Sequence, residues 1–93
     1  MNGLSKIRAS HILIEKQSQA LKVLDELKFG IDFSQLAKKF SQCPSGKRGG
    51  DLGQFGRGQM IREFEQAAFS LKIGEISQPI KTKYGYHIIK RTG

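Results

Sequence analysis

The sequence predicts an α+β fold in which a few helices pack around a small sheet. Segments with strand-like composition and segments with helical spacing of apolar residues are interspersed. Their order is strand, two helices, strand, helix and two strands. The chain has 93 residues, which suffices for one modest core. We therefore expect a single domain over residues 1–93, without an internal repeat or a linker.

The first strand is predicted at Ile7–Ile14, which is rich in β-branched and apolar residues. Because side chains alternate between the two faces of a strand, His11 should share a face with Ala9 and Leu13. One of the two histidines of the chain is thus expected on an otherwise apolar face.

Two helices are predicted next. Ser18 is expected to cap a helix that runs to Lys28, and Gly30 is expected to end it. Asp32 is expected to cap the second helix. Both helices have apolar residues at helical spacing, as in elements that cover a core: Ala20, Val23, Leu24 and Leu27 in the first, Phe33, Leu36, Ala37 and Phe40 in the second.

Residues 46–58 contain six glycines. Glycine adopts backbone angles that other residues disfavour and lets another chain approach closely. This composition excludes a regular helix and predicts a loop, with a short strand at Asp51–Phe55.

The last third of the chain predicts a helix and a hairpin. The helix is expected over Gln59–Leu71, with Gly74 marking its end. The hairpin strands are expected at Ile76–Thr82 and Tyr86–Thr92. The helix has core spacing at Phe64, Ala67, Ala68 and Leu71.

The net charge of +8 arises from sixteen basic and eight acidic residues. Such a field attracts nucleic acid, acidic proteins or anionic lipid surfaces. We interpret it as the surface of a soluble basic protein, because no aromatic-basic pattern of a nucleic-acid module is present. Weak, salt-sensitive binding to nucleic acid or anionic membrane stays open.

Several features predict a cytoplasmic protein, which we expect to be a monomer. No apolar run approaches the roughly 20 residues of a membrane span. Residues 1–8 lack the pattern of a secretory signal. The single cysteine cannot form an internal disulfide, in agreement with a reducing compartment. A processed fragment of a larger secreted protein would share these features.

The residues that could carry chemistry are few. If the fold brings Cys43, His11 and His87 together, they form a titratable cluster beside the glycine-rich loop. Met60 and Phe64 are four residues apart, which places them on one face if a helix starts here. Apolar side chains beside such a cluster suggest a pocket for an uncharged, apolar group.

Five segments follow a recognisable pattern, namely Ala9–Ile14, Phe33–Ser41, Gly49–Met60, Phe64–Phe69 and Tyr84–Arg91. In this order they resemble the parvulin family of peptidyl-prolyl cis/trans isomerases. The resemblance covers nearly the whole chain and is strongest to small single-domain bacterial parvulins. It implies the parvulin (FKBP-like) fold, a twisted antiparallel sheet of four strands surrounded by about four helices.

The resemblance also implies an activity, the cis/trans isomerisation of Xaa-Pro bonds in unfolded or flexible polypeptides, which assists protein folding. Rotation about a peptide bond breaks no bond, so we expect neither a metal nor a cofactor. The implied centre is a hydrogen-bonded cluster that shapes the polarity of the site without covalent attack: His11, Cys43, Thr82 and His87.

The implied substrate pocket would hold the proline ring among side chains that are mostly apolar. By resemblance these are Leu52, Phe55, Gln59, Met60, Phe64 and Tyr84. The alternative is that these are plain core residues, since methionine and phenylalanine at helical spacing usually belong to a core; we favour the pocket, above all for Met60 and Phe64.

Parvulins directed at phosphorylated serine or threonine before proline carry a long basic loop after the first strand. Here only Glu15–Gln17 separate Ile14 from Ser18. We therefore expect activity that is independent of phosphorylation. Lys47 and Arg48 could contact an acidic substrate, but we interpret them as solvated loop charges.

Two other interpretations are open. The first is a parvulin-like module that binds peptide or assists folding with little turnover. The second, weaker one is a thiol hydrolase built on Cys43 and a histidine, which lacks an evident oxyanion site.

Overall fold

The computed structural model describes residues 6–93, so predictions that concern residues 1–5 lie outside the described residues. These include the start of the expected domain and part of the segment considered as a secretory signal. The described chain forms four strands, three α-helices and one 3₁₀ turn. In chain order they are β1 (Lys6–Ile14), α1 (Gln17–Lys28), α2 (Phe33–Phe40), the 3₁₀ turn (Pro44–Arg48), β2 (Asp51–Gly56), α3 (Arg62–Ser70), β3 (Ile80–Thr82) and β4 (Gly85–Arg91).

The four strands form one antiparallel sheet in the order β2-β1-β4-β3. The predicted α+β fold with a four-stranded antiparallel sheet is therefore confirmed. The longest pairing joins β1 and β4 from Ala9 opposite Arg91 to Ile14 opposite Tyr86. These two strands are the structural centre of the described chain.

The sheet separates two hydrophobic clusters, and alternate side chains of β1 and β4 belong to one cluster or the other. Ile12 and Ile88 belong to the cluster that contains the core residues of α1 and α2. Ala9 and Ile89 belong to the second cluster, which contains α3 residues. The side chains of His11 and His87 have the same parity along their strands as this second set. Both histidines consequently face the α3 side of the sheet.

Of the two predicted helix caps, one is confirmed and one is wrong. Asp32 Oδ2 accepts a hydrogen bond of 3.2 Å from the backbone N–H of Gln35, as expected of an N-cap. Helix α1 instead begins at Gln17, and Lys16 is its N-cap without a side-chain hydrogen bond. Ser18 is therefore inside the first turn, because the strand is followed by only two residues before the helix.

Helix α3 begins at Arg62, three residues later than the predicted start at Gln59. Ile61 is the N-cap, with a ψ of 143° that lies outside the helical range, and Gly58, with a φ of 86°, lies in the turn before it. Met60 therefore belongs to the loop before α3 and not to the same helix as Phe64. The helix ends at Ser70, one residue before the predicted Leu71.

The predicted strand Ile76–Thr82 is shorter in the structure, where β3 contains only its last three residues. Ser77 still follows β4, since its N–H donates to the carbonyl of Ile89 (2.8 Å) and its Oγ accepts from the Ile89 N–H (3.0 Å). A side chain thus replaces a backbone acceptor here. Pro79, which has no N–H to donate, follows before regular pairing starts.

None of the helices in the described part of the chain is long and apolar enough to cross a membrane.

Candidate active site

A groove with a volume of about 540 Å³ opens on the α3 side of the sheet. Its floor is made by side chains of β1 and β4, and its walls by the 3₁₀ turn, the loop before α3 and the β3–β4 turn. The residues that line it are His11, Leu13, Gln42, Cys43, Pro44, Leu52, Gln59, Met60, Ile61, Phe64, Lys83, Tyr84 and His87.

The two histidines form a direct pair at the floor. His11 pairs with Ile89 and Leu13 pairs with His87 in the β1–β4 register, so the histidines are diagonal neighbours on one face. Their Nδ1 atoms are 2.9 Å apart, and their rings are stacked with centroids 5.1 Å apart. Strand pairing alone therefore brings together two residues that are 76 positions apart in the chain.

The neighbouring groups favour one direction for the hydrogen bonds in this pair. The Tyr84 N–H donates to Thr82 Oγ1 (3.1 Å), and Thr82 Oγ1 lies 2.7 Å from His87 Nε2. If the Thr82 hydroxyl donates to His87 Nε2, its proton is used and its oxygen still accepts from Tyr84. We assign this arrangement, in which His87 Nδ1–H donates to His11 Nδ1.

His11 Nε2 then carries the second proton of the pair. This atom is buried and has no hydrogen-bond partner among the described residues. It is the one place where the network ends in an unused donor. Because it is covered, a substrate in the groove does not reach it in this structure.

Burial keeps both imidazoles neutral at physiological pH. It lowers the pKa of His11 from 6.5 to about 4, with a further contribution from the neighbouring His87. Burial also lowers the pKa of His87. The Nδ1–Nδ1 hydrogen bond requires at least one neutral imidazole, since one of the two nitrogens must accept.

Phe64 closes the floor beside the histidines. Its ring makes edge-on contacts with both imidazoles, each with centroids 5.4 Å apart. Phe55 was predicted near the proline pocket, but it does not line the groove. It is buried behind Phe64, at a ring-centroid distance of 6.0 Å, and belongs to the core beneath the site.

Cys43 lines the groove as predicted, but its sulfur is not hydrogen-bonded to either histidine. Its Sγ accepts from the Ser45 hydroxyl at 3.2 Å, within the first turn of the 3₁₀ segment. The hydrogen-bonded chain thus contains Thr82, His87 and His11, and Cys43 stands beside it. Without a histidine to take its proton, Cys43 does not form the pair that a thiol hydrolase needs.

The segment around Cys43 is held against the edge of β1 where β2 no longer pairs. Leu13 accepts from the Gln42 N–H (2.8 Å) through its carbonyl and donates its N–H to Ser41 Oγ (3.0 Å). The His11 N–H donates to the carbonyl of Gly50 at 2.9 Å. A Cβ at Gly50 would lie 2.4 Å from the His11 carbonyl oxygen, so this close approach requires glycine.

Comparisons with known proteins agree with this geometry. Residues 11–93 match the rotamase family described as the PPIC-type PPIase domain. The chain belongs to this family. It is a parvulin-type peptidyl-prolyl isomerase domain, as the sequence resemblance predicted.

The relatives include full-length matches and longer proteins. The chain is 45% identical to a peptidyl-prolyl cis-trans isomerase of Digitalis lanata, covering 95% of this chain and 97% of that protein. It is 59% identical to the foldase protein PrsA of Geobacillus kaustophilus, over 98% of this chain and 33% of that protein. The parvulin therefore spans about a third of the length of that relative.

Solved structures show the same fold. The parvulin of Nitrosopumilus maritimus matches with a TM-score of 0.88 and 50% identity, covering 99% of this chain and all of that one. The PrsA isomerase of Bacillus anthracis matches with a TM-score of 0.94 and 49% identity, covering 96% of this chain and 42% of that one.

Five lining residues of this parvulin domain were not predicted: Leu13, Gln42, Pro44, Ile61 and Lys83. Strand alternation had placed Leu13 on the face of His11, so the signal for it was present. Gln42 and Pro44 flank Cys43, and Ile61 follows Met60, so sequence proximity was their only signal. Lys83 likewise lines the groove beside Tyr84, at the β3–β4 turn.

Proposed function

We propose that the groove binds the proline ring of a polypeptide and accelerates rotation about the preceding peptide bond without forming a covalent bond. The observation that carries the proposal is the composition of the groove. Leu52 and Met60 supply apolar walls, and the floor is formed by Phe64 and a neutral, hydrogen-bonded histidine pair. Such a site suits an uncharged ring and removes water from the amide next to it.

The chemistry requires only that the twisted form of the amide be favoured. Resonance in the planar peptide bond produces a barrier of about 18–20 kcal/mol, and uncatalysed exchange takes tens to hundreds of seconds. A rate near 10³ per second requires lowering this barrier by roughly 7 kcal/mol. The twisted form loses resonance and its associated charge separation, so a dry apolar environment stabilises it relative to the planar form.

In this mechanism the histidines act through the shape and polarity of the floor. Their Nδ1 atoms bond to each other, His87 Nε2 bonds to Thr82, and His11 Nε2 is covered. None of these nitrogens is available as a nucleophile. The neutral pair presents fixed dipoles without a charge that would hold water in the groove.

The proposed substrate has an uncharged, apolar residue before proline. Support comes from the β1–α1 connection, which consists of Glu15 and Lys16 and offers no basic loop. Tyr84, which is 61% exposed, forms an apolar rim at the other side. The cation at this rim is Lys83, whose Nζ lies 5.4 Å from the Tyr84 ring centre.

Matched peptides that differ only in the residue before proline test this specificity. We expect Leu to be isomerised faster than Ala, Ser, Glu or phosphoserine. A preference of about tenfold for phosphoserine, equivalent to about 1.4 kcal/mol, would overturn the assignment. Lys83→Gln, run beside Lys22→Gln on the far side of the molecule, would then show whether Lys83 supplies the charge.

The proposed setting is a monomer in the cytoplasm that acts on unfolded or flexible chains. The relatives named foldase support a role in folding. The charge of +8 supports weak contact with nucleic acid or anionic membrane, which should fall steeply with salt. A proline-limited refolding assay tests the role in folding. Vesicle or DNA binding at two salt concentrations tests the contact with anionic partners.

The activity itself is tested by exchange NMR on a Leu-Pro peptide, with protein that has been treated with chelator. We expect acceleration of cis/trans exchange at catalytic protein concentrations. Peptide binding without acceleration would replace the isomerase with a binding module of the same fold.

A further inference from the structure

The loop between β2 and α3, residues 57–61, carries Met60 and Ile61 into the groove, and a carboxylate of α3 accepts two hydrogen bonds from it. We propose that Glu65 is a positioning residue that holds this loop in the form that completes the substrate groove. The inference rests on the proposed function, since it concerns how the same groove is kept ready for a proline ring.

The first observation is the set of partners of Glu65. Its Oε1 accepts a hydrogen bond of 2.6 Å from the Gly58 N–H, and its Oε2 accepts one of 3.3 Å from Arg57 Nη1. Both partners belong to the loop, whereas Glu65 belongs to the first turns of α3. One side chain thus connects the rigid helix to the loop that precedes it.

The second observation is that few other hydrogen bonds fix the loop just before α3. Gly58 has a φ of 86°, and the N-cap Ile61 has no side-chain hydrogen bond, so the usual helix-start contacts are missing. A second side-chain hydrogen bond of the loop, from the Gly56 N–H to Gln59 Oε1 (2.8 Å), fixes its beginning. Glu65 contacts its middle at Gly58, two residues before Met60.

The two bonds of Glu65 are not equal in importance. The Arg57 side chain is 64% exposed, and exposed ion pairs contribute about 0–1 kcal/mol. The Glu65 side chain is only 15% exposed, and a carboxylate is a stronger acceptor than a neutral oxygen. The bond to the Gly58 N–H should therefore carry most of the effect. Arg57 also lies over the Phe69 ring at 4.2 Å, which gives it a second anchor.

The test compares four variants by KM and kcat on a Leu-Pro peptide. Glu65→Gln keeps the length of the side chain and an oxygen acceptor, so its KM should stay within about twofold of the unchanged protein. Glu65→Asp keeps the charge but not the reach, and Glu65→Ala keeps neither. Both should raise KM about tenfold with little change in kcat, because a loose rim weakens ground-state and transition-state binding alike. Glu63→Ala removes an exposed acid from the same helix turn and should change neither constant.

A second readout follows the hydrogen bond directly. The Gly58 amide should be protected from hydrogen exchange in the unchanged protein and in Glu65→Gln, and exposed in Glu65→Asp and Glu65→Ala. A merely structural role would lower melting temperature without raising the KM of the folded fraction. Unchanged KM in Glu65→Ala, or a normal Glu65→Asp beside an impaired Glu65→Gln, would overturn the proposal.

Failure of this proposal and failure of the isomerase assignment are distinguishable. If the unchanged protein binds the peptide without accelerating exchange, the peptide Kd of the same variants takes the place of KM and the same order is expected. If the unchanged protein neither binds nor isomerises, both proposals are wrong. Equal Kd values in all variants would refute the role of Glu65 alone.

Discussion

The floor and the rim of the groove are positioned by different kinds of interaction. At the floor, His11 and His87 are fixed by the register of two central strands and are buried. At the rim, Met60 lies on a loop that is fixed by a few side-chain contacts. The difference teaches that the same site contains residues of two classes. Floor residues are buried and support the fold as well as the site, whereas a rim residue such as Met60 is only partly buried against the core and contributes less to the fold.

Phe64 is a floor residue, and its truncation should have the largest effect. It is only 3% exposed and contacts both imidazoles and Phe55. Phe64→Ala should lower the free energy of unfolding by about 3–5 kcal/mol, as for other buried aromatic residues, and abolish most activity. Urea unfolding measures the first quantity. Phe64→Leu keeps more of the side-chain volume, so it should show whether activity is lost without a comparable loss of stability. If Phe64→Ala is as stable as the unchanged protein, the distinction between floor and rim is wrong.

His87→Ala should be the next most severe change. It leaves the Thr82 hydroxyl and His11 Nδ1 without their partner, and each unpaired buried group costs about 1–3 kcal/mol. We expect stability and turnover to fall together, with thermal unfolding and exchange NMR as the two measurements. If turnover vanishes at unchanged melting temperature, the histidine takes part in the chemistry instead of shaping the floor.

The floor should also make stability depend on pH. Burial lowers the pKa of His11 from 6.5 to about 4, so the unfolded chain binds a proton more readily than the folded one. This contribution to stability is complete above pH 6.5 and is lost as the pH falls towards 4. His11 alone should account for a loss of about 2 kcal/mol between pH 7 and pH 5. Unfolding curves at both pH values check this, with His11→Asn as the variant that should lack this share of the dependence.

Met60→Ala tests the rim in isolation. Met60 is partly buried and packs against the second hydrophobic cluster from outside the helix, so its truncation should lower stability only modestly, about as much as truncation of another partly buried residue. It should lower kcat/KM by about tenfold, which corresponds to about 1.4 kcal/mol of transition-state stabilisation. The matched control is Leu27→Ala, which touches the opposite cluster and should affect stability but not the groove. Normal activity of Met60→Ala would place the proline ring elsewhere.

Cys43 should show the smallest effects. Its one side-chain hydrogen bond joins it to Ser45, and neither histidine depends on it. Cys43→Asp should stay active, and Cys43→Ser or Cys43→Ala should be less active but not inactive. The cis/trans exchange rate of a Leu-Pro peptide measures this. A trapped covalent adduct with substrate, or a dead and folded Cys43→Asp, would reverse this conclusion.

The sequence was most informative where local chemistry decides the structure. Strand alternation placed His11 and Leu13 on one face, and Asp32 caps α2 as predicted. The predicted start of α3 was wrong because helical spacing continues through Met60. In the structure the residues before α3 form a turn, with a positive φ at Gly58 and a hydrogen bond from its N–H to the Glu65 carboxylate. Such a contact depends on the loop path, which spacing does not encode.

The sequence also did not reveal how deeply each side chain lies below the surface of the groove. The family resemblance correctly placed Met60 and Phe64 at the groove, but Phe55 lies one layer below it. The histidine pair formed as expected because strand pairing fixes it, whereas Cys43 found a nearer partner in Ser45.

The most direct test of the central claim is a single NMR experiment on isotopically labelled protein with a Leu-Pro peptide. Exchange spectra report the cis/trans rate of the peptide, and amide shifts of the protein report where it binds. We predict accelerated exchange together with shifts at Leu52, Met60, Phe64 and Tyr84. Unaccelerated exchange, or acceleration with shifts confined to residues away from these four, would contradict the assignment of this groove as the isomerase site.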